Sequence, residues 1–407
     1  MIGSQALNVL RYRDYRYLTI SSFLWFAIRW IETIVISWMV LEMTNSPFWV
    51  GLVGAVRFAG WLLTPLAGIV ADRISRRNLL LYSQALGILL GVFLLVLLLA
   101  EMLEVWQILI LTLFRGINFA LDFPVRNALL VDLVAPKEKL NAVSVNRAAT
   151  DVTAALGPVA GGILMVLLGY AGAYWLILVL GILNLVLLFF MDDSPVPGAK
   201  GEETLWSSLK EGFQLCRRDN AIVGVLGLAC VANMFGFPLI HALLPVFAKQ
   251  VLNVGPAELG LLAGAMGTGA FVGSLCLAWK GSRVEGNRLI WVSFLFWFVT
   301  IILFAMIPYF GFSLLLLMAI GSGQAVAMVT TTTFLLHRAA PEMRGRIMGI
   351  RGLALIPLFM GNLTGGALTG WLGAPTALVI FGAAGILSTV AICLRLPSLP
   401  PLRETKS

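Results

Sequence analysis

Residues 68–77 read GIVADRISRR: an apolar run that ends against Asp72, Arg73, Arg76 and Arg77. In the twenty residues before Asp72 the one charge is Arg57. A long apolar run closed by a knot of cations is how a membrane span meets the aqueous phase. The rest of the chain repeats the pattern. Its 407 residues are 59% hydrophobic and 12% charged, and the mean hydropathy is +0.94. A water-soluble chain of that length needs far more polar surface. Apolar runs of about twenty residues, each enough for roughly 30 Å of hydrocarbon, recur near 17–41, 48–71, 79–100, 106–130, 143–168, 172–191, 221–247, 257–279, 288–307, 311–335, 346–372 and 375–394. The sequence therefore predicts an all-α membrane protein with twelve transmembrane helices. No cleavable signal peptide is expected, because the first span follows RYRDYRYL and lacks a small-residue cleavage pattern. Cys216, Cys230, Cys276 and Cys393 show no paired spacing, so neither a disulfide nor a metal site is expected.

Placing the N-terminus in the cytoplasm puts all but four of the 28 Lys and Arg residues in cytoplasmic segments. The exceptions are Lys249, outside, and Arg29, Arg57 and Arg115, within spans. Lys and Arg concentrate on the cytoplasmic side, so both termini are expected there. The net charge of +8 then reflects orientation, and no nucleic-acid partner is inferred from it.

Residues 134–162 can be laid over 339–367 at a shift of 205, with Pro136 on Pro341, Lys139 on Arg344, Ala149 on Ala354 and Gly161 on Gly366. Half the chain is about the same length. Six spans repeated in the same orientation imply two six-helix bundles related by an axis along the membrane normal. The expected organisation is a first bundle over 1–191, a cytoplasmic linker over 192–220, a second bundle over 221–395 and a cytoplasmic tail over 396–407. Within the linker, Leu205, Leu209 and Phe213 recur every four residues beside Trp206. That spacing suits a helix lying on the membrane surface, or a plain spacer.

With twelve spans in two repeats, the opening stretch resembles the signature between the second and third helices of the major facilitator superfamily, Gly-x-x-x-Asp-Arg-x-Gly-Arg-Arg. Gly68, Asp72, Arg73, Arg76 and Arg77 match it, and Ser75 stands where a glycine is usual. The corresponding loop of the second half keeps Gly273 but has Leu277 where Asp72 would fall. ALDFPVRNALLVDLVAPKEKLNAVSVNRA and HALLPVFAKQVL are similar to the branch containing bacterial siderophore and macrolide exporters. LGPVAGG, with Gly157, Pro158, Gly161 and Gly162, resembles the fifth-helix motif of antiporters, although Thr153 occupies one of its upstream glycine positions.

The resemblance implies a cytoplasmic gate. Asp72 would face the N-terminus of helix eleven near Arg344–Ile347, oriented by Arg76 and by Asp132 of helix four. A carboxylate on exposed helix amides gains roughly 0.3–2 kcal/mol, enough to bias two states a few kcal/mol apart. The plainer reading is that the arginines only hold topology. Glycines four apart, at 157/161, 260/264, 269/273, 361/365 and 366/370, let helix backbones approach closely in lipid, as sliding surfaces or as simple packing.

Charges inside spans are the most informative residues, because each is costly unless it meets protein or water. Arg29, Glu32, Arg57 and Arg115 all fall roughly 13–22 Å from the cytoplasmic boundary, at mid-depth. On the fourth span Arg115, Asn118, Asp122 and Arg126 lie within about 80° at 100° per residue and form one polar stripe. Arg147 and Asp151 follow on the fifth. A coupling carboxylate must be desolvated beside a cation that competes with the proton. Glu32, one turn from Arg29, is the first choice, Asp122 the second, and Asp151 completes the candidates. The alternatives are a static Glu32–Arg29 pair and a static network of Asp122, Arg126, Arg147 and Asp151. Arg29, Arg57, Arg115, Asn118 and Asn233 are the expected substrate contacts, with Trp25, Trp30, Trp61 and Phe237 available for stacking. His241, late in the seventh span, reads as structural.

No HExxH, GxSxG or GxxxxGK[ST] pattern occurs, so neither an enzyme nor an ATP-driven pump is expected, and no cofactor. The sequence predicts a monomeric secondary transporter of the bacterial inner membrane. It would export an amphipathic small molecule, such as a siderophore or drug, in exchange for protons by alternating access. An importer or lipid flippase of the same fold is the alternative.

Overall fold

The computed structural model describes residues 7–63, 74–192, 219–280, 286–339 and 343–395, and every regular element among them is helical. A 3-10 turn, Leu7–Arg11, precedes α1 (Arg13–Thr44). Then come α2 (Pro47–Ala59), extended by a 3-10 turn over Gly60–Leu63, α3 (Arg76–Leu99) and α4 (Val105–Asp132). The helical stretch Lys139–Phe189 breaks at Gly169, whose φ of 67° and ψ of −174° suit only a residue without a Cβ. It is therefore two helices, α5 (139–168) and α6 (170–189). Next is α7 (Asn220–Gln250), with π-helical turns at Ala232–Gly236 and Leu239–Leu243 on either side of Pro238. The chain continues as α8 (Pro256–Lys280), α9 (Gly286–Met306), α10 (Phe310–Arg338), α11 (Arg344–Leu353), α12 (Ile356–Leu372) and α13 (Ala374–Arg395).

Ten helices among the described residues are long and apolar enough to cross a membrane, against the twelve expected. Two local features account for the difference. The stretch Pro136–Phe189 counts once although Gly169 divides it, and α2 has only 13 residues, residues 64–73 lying outside the described ones. The expected linker helix around Leu205–Phe213 and the 396–407 tail also lie outside the described residues.

The chain forms two compact units. Unit 1 holds α1, the chain from Ala59 through α6, and Pro256–Gly264. Unit 2 holds Asn45–Phe58, α7 and the chain from Ala265 onward. Most of α2 thus folds with second-half helices, and the first turns of α8 fold with first-half helices. Glycines make both placements possible. A methyl at Gly51 would lie 2.6 Å from the Asn362 carbonyl oxygen and from Gly366 Cα, and a methyl at Gly260 would lie 2.5 Å from the Pro158 carbonyl oxygen. In unit 1 the antiporter-like segment of α5 also packs on α1, where a methyl at Gly157 would lie 2.7 Å from Trp30 Cβ and one at Gly161 would lie 3.1 Å from the Ile31 carbonyl oxygen. Gly370 differs from the expected pattern: it faces open space, so 366/370 is not a packing pair.

The end of unit 1 at which α1 begins is closed by Val9, Tyr15, Leu18, Leu80, Leu129 and Leu188. Buried Glu138, just ahead of α5, accepts from Arg11 at 3.1 Å and from the Tyr12 hydroxyl at 2.9 Å. The Tyr15 hydroxyl donates to the Ala142 carbonyl at 2.8 Å. The short N-terminal turn is thereby tied to the start of α5.

Candidate functional site

Four helices of unit 1, α1, α3, α4 and α6, share a polar interior. Glu32 on α1 pairs with Arg115 Nη1 on α4 at 2.9 Å, with side chains 5% and 15% exposed. The Tyr174 hydroxyl on α6 donates to Glu32 Oε1 at 3.3 Å, and Arg115 Nη2 donates to the Gly87 carbonyl at 3.3 Å. Gly91, one turn along α3, leaves room for that guanidinium, since a methyl there would sit 3.0 Å from Nη2. The sequence had suggested Arg29 as the partner of Glu32. Arg29 precedes Glu32 on the same helix, the less favourable order for a helical ion pair, whereas Arg115 reaches across from a neighbouring helix. The Arg29 guanidinium lies over the Phe119 ring, 3.6 Å from its centroid.

Closer to the start of α1, five buried side chains close a ring. Arg126 Nε donates to Asp122 Oδ1 at 2.8 Å and Arg126 Nη1 donates to Ser21 Oγ at 2.7 Å. Ser21 donates to Asn184 Oδ1. Asn184 Nδ2 donates to Gln84 Oε1 at 2.8 Å, and Gln84 Nε2 returns to Asp122 Oδ2 at 3.0 Å. Ser83 is the third residue to donate to the carboxylate, its hydroxyl lying 2.8 Å from Asp122 Oδ2. Asn118 donates to the Ser83 carbonyl at 2.9 Å. The ring joins α1, α3, α4 and α6, and every member is satisfied, the condition under which a buried polar network rigidifies a core.

An aromatic column runs beside it. Trp25 and Phe119 stack in parallel with centroids 4.8 Å apart, and the Arg126 guanidinium lies 5.0 Å from the Trp25 ring. Trp61 meets Phe119 at 5.7 Å and Phe123 at 6.0 Å.

The remaining candidates stand apart. Asp151 pairs with Arg147 on its own helix at 2.8 Å, with the arginine side chain 72% exposed, and takes no part in the buried ring. Arg57 and Asn233 belong to unit 2, where both are buried. Asn233 donates to the Ala229 carbonyl at 2.8 Å, at the start of the first π-helical turn. Of the gate residues, Gly68, Asp72 and Arg73 lie outside the described residues. Arg76 pairs with Asp132. Arg77 donates to the terminal carbonyls of α6, Leu188 at 3.2 Å and Phe189, a favourable place for a cation. Ser75, the departure from the usual glycine, is the N-cap of α3, accepting from the Asn78 amide at 3.4 Å.

Ser21, Ser83, Gln84, Tyr174 and Asn184 were not picked out from the sequence. Each is an uncharged residue in a largely apolar span. The available signal was that an amide buried in a span needs a partner on another helix. Among the described residues, no group of three or more His, Cys, Asp or Glu is arranged to hold a metal ion.

Long apolar helices around a charged, hydrogen-bonded interior define a multi-pass membrane protein. The chain belongs to the Major Facilitator Superfamily, whose family model matches residues 18–356. Similar curated relatives are the enterobactin exporter EntS of Escherichia coli O1:K1 / APEC and that of Shigella boydii serotype 4, each 26% identical over 377 residues, covering 89% of this chain and 87% of the relative. Among solved structures, a bacterial homologue of the lysosomal transporter Spinster, inward-facing and occupied, superposes with a TM-score of 0.77 at 16% identity, covering 97% of this chain and 99% of that one. A D-xylose–proton symporter gives 0.75 at 16% identity, covering 97% and 98%. At such identity the structures show the fold alone.

Proposed function

We propose that this chain is a proton-coupled exporter of the bacterial inner membrane, with twelve spans and both termini in the cytoplasm. It works as a monomer and moves an amphipathic small molecule outward by alternating access. One observation carries the coupling: the desolvated Glu32–Arg115 pair joins two helices at mid-span. A proton on Glu32 removes one charge of that pair and changes what holds α1 to α4, the kind of local event that biases a two-state carrier. Arg29, Arg57, Arg115, Asn118 and Asn233 are the proposed substrate contacts. Asp122 is assigned a structural role, because Arg126, Ser83 and Gln84 already occupy both its oxygens. Export is preferred to import because the curated relatives are exporters. Enterobactin added to inside-out vesicles is the direct test. An imposed pH gradient, acid inside, should drive its accumulation, and accumulation equal to that of vesicles lacking the protein would reject the reading.

The gate is proposed at Gly68, Asp72, Arg73, Arg76, Arg77 and Asp132. The Arg76–Asp132 pair supports the part of it that the resemblance assigned to a basic residue and a helix-four acid. Gly157, Pro158, Gly161 and Gly162 form the proposed contact along which α1 and α8 slide on α5. On that gate reading, Asp72→Asn removes the charge proposed to meet a helix N-terminus without removing a topology-setting cation. Transport is expected to fall by between about 1.7-fold and about thirtyfold, the span of ~0.3–2 kcal/mol, with membrane insertion unchanged. Wild-type flux at normal expression would remove Asp72 from the gate.

A further inference from the structure

Arg29 sits midway along the 32-residue α1, about 24 Å from either end at 1.5 Å per residue. It is only half-buried. A guanidinium at that depth cannot be left facing hydrocarbon, so water reaches this face of unit 1. The rings gathered around Arg29 share that face. Phe119 lies under the guanidinium, Trp61 and Phe123 lie within 6.0 Å of one another, and Phe26 meets Phe123 at 6.5 Å. Phe26, Trp61, Phe119 and Phe123 are all half-buried, while Trp25 and Arg126 behind them are buried. Aromatic rings turned to water at mid-span are unfavourably placed unless something flat covers them. The wall behind them is also rigid: Phe119 is stacked on Trp25, and Trp25 lies against Arg126, which the five-membered ring fixes. Such support from behind is what holds a binding surface to one shape.

We infer that Phe26, Trp61, Phe119 and Phe123 form the aryl-binding wall of the substrate site. The group taken is a flat aromatic ring bearing an oxygen acceptor, with Arg29 as the donor to that oxygen. The ring is held by offset or edge-on contacts, the oxygen by a guanidinium whose position over Phe119 sets the ring-to-oxygen distance. This rests on the transporter reading but not on its coupling or direction, since binding is measured at equilibrium.

The test uses the full chain in lipid nanodiscs, with benzamide and cyclohexanecarboxamide as matched probes, ligand-observed NMR as the readout and empty nanodiscs as the baseline. Benzamide is expected to bind about threefold to tenfold more tightly, the size of a ring–ring preference. Phe119→Leu and Trp61→Leu should each shrink that ratio towards one, and Arg29→Gln should weaken benzamide several-fold. Phe114→Leu, one helical turn away on an exposed position, should leave the ratio alone. Equal binding of the two probes to the wild-type protein overturns the inference, as does a ratio that survives both ring substitutions. Thermal unfolding of each variant identifies any that fails to fold, and the other ring position then decides. A chain that binds benzamide selectively yet shows no gradient-driven flux would reject proton coupling and leave the aryl wall standing.

Discussion

Glu32→Gln is expected to reduce the stimulation of flux by a pH gradient to a ratio of about one, while substrate binding persists. Glutamine keeps the shape of the protonated acid and can still accept from Tyr174 and Arg115, but it cannot cycle between charged and neutral forms. In the native protein Arg115 and Glu32 meet at 2.9 Å with the carboxylate side chain 5% exposed, so the neutral form is a different electrostatic state of the α1–α4 contact. The measurement is proteoliposome flux with and without an imposed gradient, alongside equilibrium binding. A purely structural pair would behave otherwise. Protein yield would fall, because Arg115 would remain buried beside a neutral partner, and the surviving protein would still respond to the gradient. Gradient-stimulated flux retained in Glu32→Gln would move the coupling to another carboxylate.

The second large effect concerns stability. Asp122→Leu leaves the Arg126 guanidinium 3% exposed without its carboxylate, and is expected to destabilise unit 1 by about 3–5 kcal/mol, the usual penalty for removing one partner of a buried pair. Removing both charges, in Asp122→Leu with Arg126→Met, should recover most of that loss. Thermal unfolding of the purified protein in one detergent, run as a double-mutant cycle, separates the two cases. An Asp122→Leu protein as stable as the native one, or a double variant no better than the single, would contradict the assignment of a saturated structural ring.

Much of this is legible in the sequence. Apolar runs about twenty residues long, interrupted by cationic loops, gave the class, because hydrocarbon thickness imposes length and water imposes charge. The fourth-span stripe was legible too: Arg115, Asn118, Asp122 and Arg126 do turn inward together, since helical periodicity is local. What stayed hidden was partner choice. Sequence proximity pointed Glu32 at Arg29, yet the structure sets it against Arg115, 83 positions away in the chain, and nothing in either neighbourhood encodes that crossing. Ser21, Gln84 and Asn184 were invisible for the same reason, since an uncharged polar residue in an apolar span becomes meaningful only once its partner on another helix is found. The glycines behaved unevenly. Gly260 and Gly366 mark close crossings, while Gly370 faces open space, so spacing alone did not separate contacts from coincidence.

The Glu32–Arg115 pair also bears on membrane voltage. The spans of unit 1 carry Arg29, Arg115 and Arg126 together with Glu32 and Asp122, three cations against two anions, so a proton on Glu32 adds one more positive charge to them. Under the proposed exchange, an uncharged aryl molecule leaves while that charge travels inward, and each cycle is electrogenic. Moving one charge through about 100 mV is worth roughly 2.3 kcal/mol, or about a fiftyfold concentration ratio. The resting potential alone, with no pH difference across the membrane, would then sustain export, whereas a substrate carrying one negative charge would meet the opposite electrostatic preference, binding best in the protonated form.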